Sequence, residues 1–222
     1  MKRCIMLLFG LLLAAPAGAA DLALVKAPNY AASPNSWFAI MGLESGGRVS
    51  NHSFDFLNTG TGTLEIGGAL AGGLLGLEYK NPFFMFRTEV EADYDFGRGG
   101  SPCMGMGVAC NINHGGILTE RIDLGFPQSW LGGVTPFGSV GVQESQTFAN
   151  VNGVGSSSQW TYAFLAGAGL DIPAGSVFSI GIRWDHVWGA QAITLGQATP
   201  TPVVANTGTS DVFKANLKWR LN

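Results

Sequence analysis

Apolar and polar residues alternate strictly along the C-terminal end of the chain. From Phe213 to Asn222 every odd-numbered residue is apolar, and every even-numbered residue is polar or charged. Residues 84–96 repeat the pattern, with five charged side chains on one face and mainly apolar ones on the other. Because successive side chains of a β-strand point to opposite faces, both segments are predicted to be strands. One face suits hydrocarbon, whereas the other needs water or countercharges.

The same alternation predicts eight strands in all. They are residues 37–44, 68–80, 84–96, 117–126, 135–146, 159–172, 177–187 and 213–222. Short connections at 81–82, 127–134 and 173–176 alternate with long segments rich in Gly, Asn and Ser. These long segments are residues 45–67, 97–116, 147–158 and 188–210. This asymmetry is typical of an all-β, eight-stranded antiparallel up-and-down transmembrane barrel with short periplasmic turns and long exterior loops.

The N-terminus has the features of an export signal. Lys2 and Arg3 precede an uncharged, mostly apolar run at residues 5–15, and Ala17-Gly18-Ala19 fits a small-residue cleavage site. The apolar run is shorter than the ~20 residues that a membrane-spanning helix requires. We therefore expect a cleaved signal peptide at 1–19, a periplasmic leader at 20–35 and an outer-membrane barrel at 36–222.

Composition narrows the class of protein further. The chain has twelve Lys and Arg against fifteen Asp and Glu, without any basic cluster, so nucleic acid is not expected as a partner. After the signal no stretch reaches eighteen uninterrupted apolar residues, which argues against helical membrane spans. A closed barrel is then the remaining way to cross a membrane.

The charged strand face is expected to line the interior of the barrel. An eight-stranded barrel is just wide enough for side chains to fill it, so acids and bases on neighbouring strands should pair and plug the lumen. A narrow permeation path for ions or solutes is the alternative. The predicted lumen residues are Arg87, Glu89, Glu91, Asp93, Arg121, Asp123, Arg183, Asp185, Lys214, Lys218 and Arg220. Glu78 is expected on the same charged face.

Aromatic residues near the strand ends are candidates for lipid-interface girdles. They are Tyr79, Tyr94, Phe96, Trp160, Trp184 and Trp219. The alternative is the ordinary aromatic core of a soluble sandwich. Glu120 shares the apolar face with Ile122 and Leu124, and we expect it at the outer rim, where a lipid-facing acid costs less.

The mature chain contains two cysteines, Cys103 and Cys110, in a Gly- and Met-rich segment. Export would place them where oxidation is possible, so a disulfide is expected. Two free thiols or a weak metal site is the alternative, although the spacing matches no recognised zinc pattern.

Enzymatic chemistry is not indicated, and neither a catalytic residue, a cofactor nor a metal site is predicted. His52 and His114 fall in predicted exterior loops, and His186 faces the opposite way from the adjacent Asp185. No Gly-x-Ser-x-Gly element occurs. A lipid-modifying barrel enzyme and a soluble lipocalin-like binder remain as alternatives. In a lipocalin the apolar strand face would point inward and the charged face outward. The alternation of short and long connections and the scarcity of charged residues favour instead an apolar outer face that contacts lipid.

Four short segments carry a resemblance to a known family. Residues 20–28, 135–141, 179–186 and 214–220 resemble the small outer-membrane β-barrel proteins of alphaproteobacteria, the porin-like surface antigens of brucellae and rhizobia. The chain departs from the family at Trp37-Phe38-Ala39, and at Leu221-Asn222 in place of a terminal aromatic.

This resemblance implies an integral, surface-exposed barrel in the outer membrane, without a catalytic site. Its expected role is structural or adhesive. The implied partners are the outer-membrane bilayer with its lipopolysaccharide, the barrel-assembly machinery and an extracellular ligand bound through exterior loops.

Overall fold

A computed structural model describes residues 36–56, 60–102, 109–128, 131–189, 191–196 and 203–221. They form ten strands: β1 (Ser36–Phe56), β2 (Gly60–Lys80), β3 (Met85–Asp95), β4 (Arg98–Pro102), β5 (Ala109–Gly125), β6 (Thr135–Val151), β7 (Gly155–Pro173), β8 (Phe178–Gly189), β9 (Ala192–Leu195) and β10 (Val203–Leu221). The predicted signal peptide and leader lie outside the described residues. The described part of the chain contains no helix long and apolar enough to cross a membrane.

The strands form a closed antiparallel ring. The order is β1-β2-β3-β5-β6-β7-β8-β10, and β10 pairs with β1 to close it. Short β4 follows β3 and pairs with β5, while short β9 follows β8 and pairs with β10. β4 continues the line of β3, and β9 continues the line of β8. We call each such continuous strand line of the barrel wall a stave, and the barrel has eight staves. The predicted eight-stranded up-and-down barrel is confirmed.

The register around the ring sets the stagger of the barrel. Following paired residues from Ile40 of β1 leads back to β1 at Ser50, ten residues further along the chain. The path runs through Gly76, Glu89, Arg121, Gly141, Leu165, Val187 and Ser210. Closure with such a stagger requires strands tilted by about 35–45° to the barrel axis. The interior of an eight-stranded barrel is just wide enough for side chains to fill it.

The end of the barrel at which β1 begins and β10 finishes is called the lower end. The chain turns there between β2 and β3, where the Asn81 side chain accepts hydrogen bonds from the backbone N–H groups of Phe83 and Phe84, both at 2.8 Å. An asparagine that bonds the backbone two residues ahead is a local turn former. The sequence between the two alternating segments therefore closes this hairpin by itself.

At the opposite, upper end the segments predicted as long loops are largely strand. β1 continues to Phe56 and β2 begins at Gly60, and the strands β5, β6, β7 and β10 are extended in the same way. The four predicted loops are therefore wrong in extent, and the barrel is taller than expected. Gly, Asn and Ser in these segments indicated loops, yet most of those that the structure describes lie on paired strands.

The outer face of the barrel carries a broad apolar belt, which reaches from the lower end to about the middle of the long staves. Its side chains are strongly exposed: Phe164 by 72%, Leu75 by 62% and Val140 by 60%. On β1 the outward residues as far as Val49 are apolar except for Ser45 and Gly47, and they become polar from Asn51 onwards. Above the belt, the outward side chains are mainly polar and the inward ones mainly apolar.

Candidate functional site

All eleven predicted lumen residues lie inside the barrel. Ten are buried, and Arg220 at the lower end is partly so, with 9% of its side chain exposed. Glu78, also expected on the charged face, is buried in this interior as well. The structure adds charged residues that were not among the predicted lumen residues: Glu44, Arg48, Asp95 and Asp171. Among the described residues, nine carboxylates and seven cationic side chains form ion pairs in this interior.

Arg87 of β3 is the centre of the lower half of this network. Its guanidinium is fully buried, and Nη2 lies 2.6 Å from Asp123 Oδ2 while Nε lies 2.9 Å from Glu89 Oε1. Its Nη1 also donates to Asp171 from the far side of the barrel. Lys218 Nζ donates to the other oxygen of Asp171 at 2.9 Å. The guanidinium thus connects strands across the lumen, not merely neighbours in the sheet.

A second layer of ion pairs lies above Arg87. Arg121 donates to Asp185, with Nη2 2.7 Å from Oδ1. Arg183 Nη2 and Lys214 Nζ each donate to a different oxygen of Glu44, both at 3.0 Å. Because buried charges are tolerated only when paired and hydrogen-bonded, these interlocking contacts are what permits so polar an interior.

Three acidic residues in this layer together have the geometry of a cation site. Oxygens of Glu44, Glu91 and Asp93 lie within 4.8 Å of one another. The ammonium of Lys214 donates to all three carboxylates. Lys214 therefore supplies the positive charge that a bound cation would otherwise provide to these three carboxylates.

Two histidines meet above the ion-pair layers. His52 of β1 and His114 of β5 come from strands that are not neighbours, and their Nε2 atoms lie 3.1 Å apart. The exposed fractions are 3% and 5%. The prediction that both lie in exterior loops is wrong. The strands continue past the belt at this height, and even-numbered residues of β1 point inward.

This histidine pair lies above the apolar belt, since the outward neighbours of His52 are Asn51 and Ser53. Burial, together with the nearby Arg48 charge, lowers the pKa of His52 to about 4. Burial lowers the pKa of His114 to about 2, with Arg48 and His52 adding to the effect. Both imidazoles are therefore neutral at pH 7.

An apolar cluster closes the upper end of the lumen, and we call it the apolar cap. It consists of Phe54, Leu64, Ile66, Cys110, Ile112, Ala149, Val151, Ile193, Leu195, Val203 and Ala205. Nearly all its members are about 1–2% exposed. The predicted bridge from Cys110 to Cys103 remains a prediction, because Cys103 lies outside the described residues.

The third histidine lies on the outer face. His186 Nδ1 is 2.9 Å from Asp211 Oδ1, and the indole Nε1 of Trp184 donates to the same oxygen at 3.1 Å. The adjacent Asp185 points inward to Arg121. The His186–Asp211 pair comes from neighbouring strands β8 and β10, where the two residues are directly opposite.

The predicted interface aromatics all point outward. Tyr94, Phe96, Trp160 and Trp184 are between 41% and 58% exposed. Near the lower end, Tyr79 contacts Trp37 with ring centroids 5.2 Å apart, and Trp219 contacts Phe178 at 5.8 Å.

Glu120 lies near the upper edge of the belt but not beyond its apolar residues, as a position at the rim itself would require. It is paired across the sheet with Val90 and Val142, and the next outward residues of its own strand are Leu118 and Ile122. It therefore lies within the apolar belt.

Solved structures of similar fold include outer-membrane β-barrel proteins. OprG of Pseudomonas aeruginosa has 11% sequence identity and a TM-score of 0.53, covering 86% of this chain and 97% of that protein. Neisserial surface protein A has 9% identity and a TM-score of 0.46, with 84% and 99% covered. Ail, the attachment invasion locus protein of Yersinia pestis, has 11% identity and a TM-score of 0.42, with 82% and 99% covered.

Neither a protein-family model nor a curated protein sequence matches the chain. The similarity to OprG shows that this chain shares the fold of an outer-membrane barrel.

Proposed function

We propose that this protein is an integral outer-membrane barrel with a mostly plugged lumen and a structural or surface-interaction role. The single observation that carries the proposal is the combination of an apolar outer belt with an interior closed by ion pairs. Phe164 on the outside is 72% exposed, whereas Arg87 on the inside is 0% exposed. Only a surrounding bilayer removes such an outer face from water, as it does for membrane barrels.

The two closed layers argue against wide diffusion. A solute entering from the upper end would have to part the apolar cap and then displace the ion pairs around Arg87 and Arg121. Removing one partner of a buried ion pair costs about 3–5 kcal/mol, because the other charge is left uncompensated. Passage at the rate of a general porin is inconsistent with barriers of this kind.

The lipid bilayer with its lipopolysaccharide is the proposed surrounding, and the barrel-assembly machinery is the proposed route of insertion. Any specific ligand would bind at the upper rim, where the outward side chains are polar. Asn51, Ser53, Thr63 and Glu65 provide hydrogen-bonding groups there. Export through the cleaved signal peptide remains part of the proposal.

Planar-bilayer recording of the refolded protein tests the plugged lumen. The expected result is no conductance step of general-porin size. An Arg87→Ser/Lys218→Ser variant serves as the comparison, since it removes two long side chains from the lower lumen. Its folding is checked by the heat-dependent gel shift of intact barrels. Porin-sized steps from the unaltered protein would contradict the proposal.

A small porin with narrow permeability is the second candidate. The buried amide of Asn216 and the Nε2 of Gln143 have no hydrogen-bond partner among the described residues, so they are available to water or an ion. Small, cation- or anion-selective steps that change in Asn216→Leu would favour this candidate. Their absence would favour the closed barrel.

A further inference from the structure

The outer face of the barrel carries a groove that a smooth lipid-facing surface does not need. It has a volume of about 870 Å³ and crosses the strands β2 to β7. Leu75, Leu77, Val90, Ile122, Val142 and Phe164 are among its lining residues, and all six are exposed on the outer face. The shape and the lining suit hydrocarbon chains.

One carboxylate lies in this apolar groove. Glu120 points outward from β5, and no hydrogen bond or ion pair joins it to another described residue. This contrasts with the nine paired carboxylates of the lumen. An ionisable side chain that faces lipid carries a free-energy cost, so its position indicates a function and a partner that offsets the cost.

The depth of Glu120 defines where that partner must place its polar group. Leu118 is the next outward residue above Glu120 on β5, and it is paired with Glu144 of β6. Glu144 marks the upper edge of the belt on β6. Tyr162 of β7 is opposite Glu144. Glu120 is therefore just below the upper boundary of the belt, with Ile122 and Leu77 below it.

We infer that this groove binds a membrane lipid that carries an ammonium group and no strong negative charge beside it. The ammonium would donate to the Glu120 carboxylate, and the acyl chains would lie against the lower part of the groove. With the upper end facing the cell exterior, the lipid belongs to the outer leaflet, where chains run downward from the head group. This inference rests on the proposed membrane location.

A second copy of this chain fits the groove less well. The outward residues of the belt in the described strands include neither lysine nor arginine, and the exposed Arg98 lies on β4 beyond Phe96. A two-fold contact through the groove would bring one Glu120 towards the other. Charge complementarity thus favours a cationic lipid over self-association.

Selective lipid retention tests the inference. The barrel is reconstituted in neutral phosphatidylcholine nanodiscs that contain either nitroxide-labelled hexadecylamine or the matching labelled hexadecanol. Electron paramagnetic resonance then measures the motionally restricted fraction of each probe. A charge-assisted hydrogen bond should favour the amine over the alcohol by roughly tenfold in association constant. Glu120→Gln should abolish the preference.

Glu65→Gln is the matched control, because Glu65 faces outward on β2 above the belt. It should retain the preference for the amine. Equal restriction of both probes by the unaltered barrel would overturn the inference, as would a preference that survives in Glu120→Gln. Dimers that disappear on Glu120→Gln would also overturn it, in favour of an interface between copies. Failure of the proposed membrane location is distinguishable, because the protein would then not enter nanodiscs.

Discussion

At the scale of single residues, the interior of this barrel is organised by cations that each contact several acids. Arg87 reaches Asp123, Glu89 and Asp171, which come from β5, β3 and β7. Such an interior is weak support for stability as a whole, but each member is costly to remove singly. We therefore expect the side chains to favour the one strand register in which these pairs form.

Replacing Arg87 should destabilise the barrel strongly. Arg87→Met leaves Asp123 and Asp171 without their main countercharge, and the free energy of unfolding should fall by about 3–5 kcal/mol. Urea titration in lipid vesicles, followed by tryptophan fluorescence, measures the change. Arg98→Met is the control, because Arg98 is exposed on β4 and should lose less than about 0.5 kcal/mol. Equal losses in the two variants would contradict the central role of Arg87.

The histidine pair should make stability depend on pH. The folded barrel keeps His52 neutral with a pKa of about 4, whereas an unfolded histidine takes up its proton near a pKa of about 6.5. A base with a lowered folded pKa contributes stability that is complete above about pH 6.5. That stability is lost progressively as the pH falls towards 4.

The measurement is the free energy of unfolding at pH 7.5, 6 and 5, compared between the unaltered barrel and His52→Leu/His114→Leu. The double variant should have a flatter profile over this range, because the groups that take up protons on unfolding are gone. His186→Gln, on the outer face, should keep the original slope. A slope unchanged by the double replacement would assign the pH dependence to other groups.

At the scale of strands, the structure explains why the upper halves were expected to be loops. Between His52 and Phe56 the residues that point inward are apolar, and those that point outward are polar. Below this region the arrangement is the reverse, with charge inside and hydrocarbon outside. A sequence search that assumes one constantly apolar face ends the strand at the residue where the apolar and polar faces exchange. The in-out alternation of side chains nevertheless continues beyond that residue.

The seam between β1 and β10 closes the ring and leaves no room for a side chain at several glycines, of which Gly46 is one. A Cβ added at Gly46 would meet the backbone oxygen of Phe213 at 2.0 Å, whereas one at the adjacent Gly47 would find its nearest atom 3.6 Å away. Gly46 therefore permits a close backbone approach that closes the barrel.

Gly46→Ala should impair closure of the barrel, with a loss of about 1–3 kcal/mol from overpacking. Gly47→Ala, one residue away, should be nearly neutral. The fraction of protein that shows the heat-dependent gel shift after refolding, together with its urea midpoint, measures both. Similar behaviour of the two variants would mean that the seam adapts and that Gly46 is not required.

At the scale of the whole molecule, the barrel has two differently surrounded parts. The lower part carries the apolar belt around an ion-paired lumen, and the upper part carries a polar outer face around the apolar cap. Each part places its apolar residues on the side away from water, once the lower part is surrounded by lipid. In the proposed membrane location, the exchange of faces along the staves would mark the upper boundary of the bilayer.

Spin labels at belt and upper positions should report that boundary. Labels at Ile122, Phe164 and Leu217 should be accessible to oxygen and protected from a water-soluble nickel complex after reconstitution in vesicles. Labels at Thr63 and Ser158, exposed on the outer face above the belt, should show the opposite. Nickel access at the three belt positions would show that water, not lipid, surrounds the barrel.

Several lumen residues could be found from sequence and others could not. Asp171 is an odd-numbered residue of β7 and lies on the face opposite to the apolar Phe164 and Leu170. Its place on the polar face could therefore be predicted from the sequence. Glu44 shares its face with the buried Ile40, and an apolar neighbour on the inward side obscures the assignment. The meeting of His52 and His114 had no local signal, because β1 and β5 are separated by two strands in the ring.

The sequence by itself determined the alternation of side chains and the lower turns, and hence an eight-stranded antiparallel barrel with charge inside. These properties depend on the two-residue period of a strand and on local turn chemistry, which a single segment already contains. Only the tertiary structure decided the height of the staves, the apolar cap and the partners of each charge. Those depend on the stagger of ten residues around the ring, which brings distant strands face to face across the lumen.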